Sequence, residues 1–160
     1  MLYPAVRAVL ENDDGAARGS LQPIYGKLTD RDLVALLPAI LKAIRDLAPS
    51  NEMFGDGIRL AGLDLVSRLH LREGMPLCVS VIEPNRWGAW GRLGKCLECL
   101  GRYGVHAKAA LPELREMRRN LSETRLQDKN AGQLDKTIAE IEAATDSPTL
   151  LNLKDFKTRP

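Results

Sequence analysis

Four prolines, each preceded by a large apolar residue, recur along the chain as Tyr3-Pro4, Leu37-Pro38, Met75-Pro76 and Leu111-Pro112, at spacings of 34, 38 and 36 residues. An interval of that length holds two short helices and their turns. A fixed period of this kind marks architectures in which one helical hairpin stacks on the next, because a single hairpin cannot bury its own apolar face. The residues around each proline carry the matching pattern. Val6, Val9 and Leu10 follow Pro4; Ile40, Leu41, Ile44 and Leu47 follow Pro38; Leu114 and Met117 follow Pro112. Gaps of three and four place them on one side of a helix.

Each of these runs stops at a polar or breaking stretch: Glu11 to Gly15, Ala48 to Asn51, Glu83 to Asn85, and roughly Asn120 to Asn130. A second apolar run then begins, with Leu21, Ile24 and Leu28 in the first unit, Leu63, Val66 and Leu69 in the second, and Leu93, Leu97 and Leu100 in the third. The pattern predicts an all-α fold of units at about 1–28, 29–71, 72–104 and 105–145, with a tail over 146–160 whose Leu150, Leu151, Leu153 and Phe156 either lie over the last hairpin or stay loose. The clearest single helix spans Asp30 to Leu47. Thr29 stands before it as an N-cap, with Asp32 three residues on, and Pro38 inside it should bend it. Only Pro76 to Ile82 alternates as a strand would, and helix is still expected there because a lone strand has no partner.

At 160 residues, the chain is long enough for one domain that buries about 70% of its unfolded surface. Aromatics make up only 4%, so Leu, Ile, Val and Ala must build the core. Net charge is +2, from 23 basic and 21 acidic residues, which is too balanced to make polyanion binding a default. No run of apolar residues is long enough to span a bilayer, so no membrane insertion is expected, and compartment stays open.

These features resemble the HEAT-like repeat family, whose units carry a Pro-bent first helix, a turn with an acidic residue and a second helix bearing an arginine. Pro4 with Asp14 and Arg18, and Pro38 with Asp56 and Arg59, match that arrangement. The resemblance implies a right-handed α-α superhelix of about four hairpins, in which Asp14, Arg18, Asp56 and Arg59 form a structural ladder between units. The pattern is shared with armadillo-like and other α-solenoids. The third unit keeps Pro76 and Arg92 but has Asn85 where an acid is expected; the fourth keeps Pro112 and then departs, reading as an irregular cap. Because Leu2-Tyr3-Pro4 enters a helix at once, a piece of a larger chain is expected.

Few residues suggest chemistry. Cys96 and Cys99 have the spacing of a redox or metal pair, but they lie inside a helical run, no second pair exists to complete a zinc site, and small core thiols are the simpler reading. With Cys78 they form an odd set, which does not read as a disulfide framework. His70 and His106 each fall near a helix end, and no Ser-His-Asp, HExxH, Walker or GxGxxG arrangement accompanies them. Neither a catalytic residue nor a cofactor or metal site is predicted.

The most distinctive run is Arg86-Trp87-Gly88-Ala89-Trp90-Gly91-Arg92, in which the spacing of three is expected to put Trp87 and Trp90 on one side of a helix. Packing between units, in room left by Gly88, Gly91 and Gly94, is one reading of its tryptophans. The sharper one makes Trp87, Trp90, Arg86 and Arg92 a partner-binding patch, since Trp and Arg dominate interface hot spots. Lys108, Arg115, Arg118 and Arg119 form a candidate basic patch interleaved with Glu113 and Glu116, more simply a solvated helix face. Met53 and Phe54, before Gly55-Asp56-Gly57, either project an apolar anchor or staple a helix start.

The expected function is a non-enzymatic interaction module offering a shallow concave ridge of second helices to a protein partner or to another domain of its own chain. The alternative is nucleic-acid binding through the arginines and tryptophans; a helical accessory domain of an enzyme is third.

Overall fold

The computed structural model describes residues 3–156. Among them the chain is all-α, with α1 (Tyr3–Leu10), α2 (Gly15–Gly19), α3 (Asp30–Arg45), α4 (Asp56–Arg68), α5 (Met75–Ser80), α6 (Ala89–Gly101), α7 (Leu111–Arg119) and α8 (Lys129–Ala143), joined by turns and short 3-10 segments. Helix α1 packs on α3, and α3 on α5; α2 packs on α4, α4 on α6, and α6 on α8. Contact therefore passes from each helix pair to the next in chain order.

Sequence explains why α3 anchors this arrangement. Its stripe of Leu33, Leu36, Leu37, Ile40 and Ile44 is buried against α1 and α4. Each such side chain is worth about 1.5–3 kcal/mol when removed from water. The helix start is fixed by a reciprocal cap: the Thr29 hydroxyl accepts the Asp32 amide at 3.3 Å, and the Asp32 carboxylate accepts the Thr29 amide at 3.1 Å. Pro38 lies in the helix interior, where it leaves the Val34 carbonyl without its usual donor. Both residues are on the exposed side, so water can supply one.

The other prolines do different work. Pro4, Pro76 and Pro112 are each the second residue of their helix, where a missing amide costs nothing. In the third and fourth units a 3-10 segment, Arg72–Gly74 or Gly104–Ala110, runs directly into the proline-led α-helix. The period seen in sequence thus marks a change of helix type in these units and an interior position in the second.

Two further expectations need adjustment. The second helix of the first unit is only five residues long; Gly19-Ser20 and then Pro23 break it, and Leu21 and Ile24 continue on a 3-10 segment, Gln22–Lys27. The stretch from Ala144 to Phe156 is not a loose end, nor does it simply cover the last hairpin. Its backbone pairs with the third-to-fourth-unit junction through Val105 N to Asp146 O (2.9 Å), then reaches the second-to-third junction through Leu151 N to His70 O (3.0 Å) and Arg72 N to Leu151 O (2.8 Å). Leu150, Leu151, Leu153 and Phe156 pack against the core. Residues 157–160, the rest of the expected tail, lie outside the described residues, as does Leu2.

Candidate functional site

The turns joining the two helices of each pair lie edge to edge. Gly15 N bonds Ser50 O at 2.9 Å, and Ser50 N bonds Asp13 O at 3.0 Å, tying the first turn to the second. Arg125 reaches from the fourth turn to the third, its amide on Pro84 O (2.8 Å) and its Nε on Asn85 O (3.1 Å). Between the second and third turns the link is made by charge, through five side chains: Asp56, Arg59, Glu83, Arg86 and Arg92.

Arg92 is 1% exposed. Its guanidinium donates to the carbonyls of Val81, Ile82, Glu83, Arg86 and Trp87 at 2.8–3.3 Å and to the Asp56 carboxylate at 2.9 Å. Arg59, also buried, donates to Ile44 O at 2.7 Å and holds both Glu83 oxygens at 3.0 Å in a bidentate pair. Arg86 bridges Asp56 and Glu83 above them. Three guanidinium groups face two carboxylates, and the surplus positive charge is met by backbone carbonyls.

Those carbonyls explain why an arginine recurs in the second helix of a unit. The last turn of a helix leaves carbonyl groups without intrahelical donors. Arg18 donates to Asn12 O (2.7 Å) just past α1, Arg59 to Ile44 O at the end of α3, and Arg92 to Val81 O and Ile82 O just past α5. Each closes the end of its own unit's first helix. Each also reaches a neighbour: Arg18 bonds Asp46 O at 3.0 Å, Arg59 bonds Glu83, and Arg92 bonds Asp56.

Of the sequence-assigned ladder, Asp56 and Arg59 thus join neighbouring units by ion pairs. Asp14 does so by a hydrogen bond from Asn51 at 2.8 Å while capping α2 through Ala16 N; Arg18 has carbonyls for partners rather than Asp14. The acid missing at Asn85 is supplied by Glu83, which sequence reasoning passed over. Its backbone is left-handed, with φ of 46°, a conformation sequence gives little warning of in a glutamate. The i, i+3 spacing of Glu83 and Arg86 was the available signal.

Burial works against the charged form of Glu83, but hydrogen bonds from Arg59 and Arg86 outweigh it and hold the carboxyl below the ordinary glutamate range. A depressed folded pKa adds stability above the unfolded value of about 4.3, and that stability is lost as pH falls through the folded one. Glu83→Gln should therefore lower the melting temperature by about 6 °C at pH 7, from about 2 kcal/mol. Melting curves recorded downward from pH 7 should show the gap to wild type closing below about pH 4; a gap independent of pH would remove Glu83 as the ionised partner.

Comparison with known proteins adds no family to this geometry. No family model, curated protein or solved structure matches the chain. What the site does must be read from the site.

The partner-binding set divides. Arg92 is enclosed and fully used within the fold, so it is not available to a partner, which corrects its placement in a surface patch. Arg86 is partly exposed but occupied by Asp56 and Glu83. Trp87 is not on the helix with Trp90: it lies in the turn before α6, where Gly88 adopts φ of 82°. It is 61% exposed. The two indole rings nevertheless meet edge to face, centroids 5.5 Å apart, an arrangement that rigidifies an exposed ring. Gly88 and Gly94 make room for other groups, the Asp56–Arg92 pair and Gln133, rather than for the indoles.

Met53 and Phe54 are 64% and 57% exposed on the neighbouring turn. Phe54 is two residues from Asp56, and Trp87 adjoins Gly88, which faces the Asp56 carboxylate. Arg92 holds the Trp87 carbonyl at 2.8 Å and the Asp56 carboxylate at 2.9 Å, so the network ties the backbone of the turn bearing Trp87 to the start of α4, just after Phe54. Exposed apolar side chains are ordinary when scattered; three on two pinned, adjacent turns are not.

The remaining candidates carry less. Arg115 pairs with Glu142, Arg118 with both oxygens of Asp135 (2.8 and 3.1 Å), and Arg119 with Glu116. Lys108 lies on the Gly104–Ala110 segment before α7. Most of the basic patch is thus neutralised by its own surroundings. Cys78, Cys96 and Cys99 are free and buried; burial pushes all three thiols up, Cys96 to about 12, which opposes thiolate chemistry. His106 Nε2 lies 3.0 Å from Pro148 O, and His70 stacks edge-on with Tyr103, so both meet the structure rather than open solvent alone.

Proposed function

We propose that the chain is a non-enzymatic interaction module, a right-handed superhelical stack of HEAT-like hairpins that binds a protein partner, or another domain of its own chain, through the turn edge bearing Met53, Phe54 and Trp87. What carries this reading is the exposure of those three apolar side chains on two turns that partly buried ion pairs link to each other. Preorganised apolar anchors cost little ordering on binding, which is how a small patch gains affinity.

This site differs from the expected ridge of second helices. There, Asp64 of α4 pairs with Lys95 of α6 (2.8 Å) and with Arg102 just past its end (3.0 Å), so the exposed charges largely satisfy one another. The pairing of Arg115, Arg118 and Arg119 likewise argues against a phosphate surface, since paired arginines release fewer counterions on binding nucleic acid.

A photo-reactive phenylalanine analogue placed at position 53 tests the reading in cells expressing the chain. A discrete polypeptide adduct is expected there and not from the same analogue at exposed Glu140, and Trp87→Ala should abolish it. Phe54→Ser should move the melting temperature by less than about 2 °C, as exposed positions do. Equal labelling from positions 53 and 140, or an adduct indifferent to Trp87→Ala, overturns the site.

A further inference from the structure

A second surface lies between α5 and α7 and borders the third turn through Pro84 and Asn85. Helix α5 is six residues long and α7 nine, so at about 1.5 Å per residue α7 is nearly a turn longer than α5. The Gly104–Ala110 segment, which packs on both, separates them at one end. The outcome is an open groove of about 600 Å³.

Its floor is apolar, from Val79, Pro84, Pro112 and Met117. Along α7 and its C-cap the lining residues Glu113, Glu116, Met117 and Asn120 follow the i, i+3, i+4, i+7 spacing of one helix face, with Met117 buried at its base and Glu113 and Glu116 exposed above it. Glu123 adds a third carboxylate, and no lysine or arginine lines the groove. Glu113 and Glu123 are exposed, while Glu116 is shared with Arg119 and Asn120. Arg119 pairs with Glu116, and Arg125 bonds the lining Asn85 carbonyl at 3.1 Å, so the acidic character of the rim rests on Glu113 and Glu123.

We propose that this groove docks a basic peptide segment that places an apolar side chain between Val79 and Met117 and flanking lysines or arginines against Glu113 and Glu123. Charge complementarity selects the occupant. Carboxylates at the rim repel acidic peptides and phosphate chains alike, and desolvating a like-charged pair costs far more than an exposed opposite pair gains. The apolar floor supplies affinity and the rim supplies choice. The groove shares the third turn with the Trp87 edge but is lined by none of Met53, Phe54 or Trp87, so the two sites can be tested apart.

A random nine-residue peptide library displayed on phage, selected on the whole chain, decides it. The enriched pool should carry Lys or Arg beside Leu, Ile, Met or Phe. Its binding should drop about tenfold or more on a Glu113→Lys, Glu123→Lys double variant that melts with wild type, weaken with added salt, and persist on Trp87→Ala. A pool lost on Trp87→Ala and retained on the double variant would support the turn edge and overturn the groove. A pool without basic residues, one indifferent to the charge reversal, or no enrichment would also overturn it.

Discussion

Replacing Arg92 with methionine is expected to lower the stability of the fold by about 3–5 kcal/mol, a fall of about 10 °C or more in melting temperature for a domain of this size. Methionine has the length to fill the site and lacks the donors. Val81, Ile82, Glu83, Arg86 and Trp87 would lose a hydrogen bond to their carbonyls, and Asp56 would keep only its partly exposed partner Arg86 and the more distant Arg59, at 3.7 Å. Arg92→Lys should recover little, because an ammonium, a compact group with three donors, cannot reach six acceptors spread around a guanidinium. Arg115→Ala removes the same formal charge from an exposed pair and should cost under about 1 kcal/mol. Urea melts of the three variants check this; comparable losses from Arg92→Met and Arg115→Ala would mean that the network does not hold the turns together.

The arginines of the first three units repeat with different partners. Arg18, with two carbonyl acceptors and no bonded carboxylate, should cost less than Arg59 or Arg92, since neutral partners return less than ionic ones. This ordering was legible in the sequence as far as the arginines' positions in each second helix, because they follow the helical period that the apolar residues set. Their partners were not. A side chain that bonds main-chain carbonyls leaves no signature in the residues whose carbonyls it uses, and Glu83 enters the network through a left-handed backbone that its residue type disfavours.

The same distinction runs through the fold. Helix α3 could be placed within two residues from Thr29, Asp32 and its apolar stripe, since caps and periodicity are local. The broken second helix of the first unit could have been anticipated from Gly19, Ser20 and Pro23, whose breaking tendency is also local. The course of residues 144–156 could not. Leu151 was visible as apolar, but its hydrogen-bond partners His70 and Arg72 lie about eighty positions earlier, and only closure of the intervening helices brings them together. Trp87 was misplaced onto the helix for a smaller reason of the same kind: Gly88 turns the chain before α6 begins.

Gly104→Ala is expected to release that returning segment selectively. Gly104 has φ of 54°, and a Cβ there would run into the Asp146 carbonyl and its carboxylate. The left-handed backbone alone costs an alanine about 1 kcal/mol. The collision is with main chain, so a side-chain rotation cannot relieve it, and the expected total is about 2–3 kcal/mol. Most of that can be avoided by giving up the Val105 to Asp146 hydrogen bond and letting the segment lift. Amide exchange should therefore accelerate at Val105, Leu151 and Leu153 well before it does in α3 or α4, and limited proteolysis should cut between 144 and 150 in the variant first. Uniform acceleration across all helices would mean that the segment is part of one cooperative unit rather than a strap over two junctions. If the strap lifts while Trp87 remains in place, binding at the turn edge should survive the substitution, since the ion pairs that link the turns bearing Met53, Phe54 and Trp87 do not pass through Gly104.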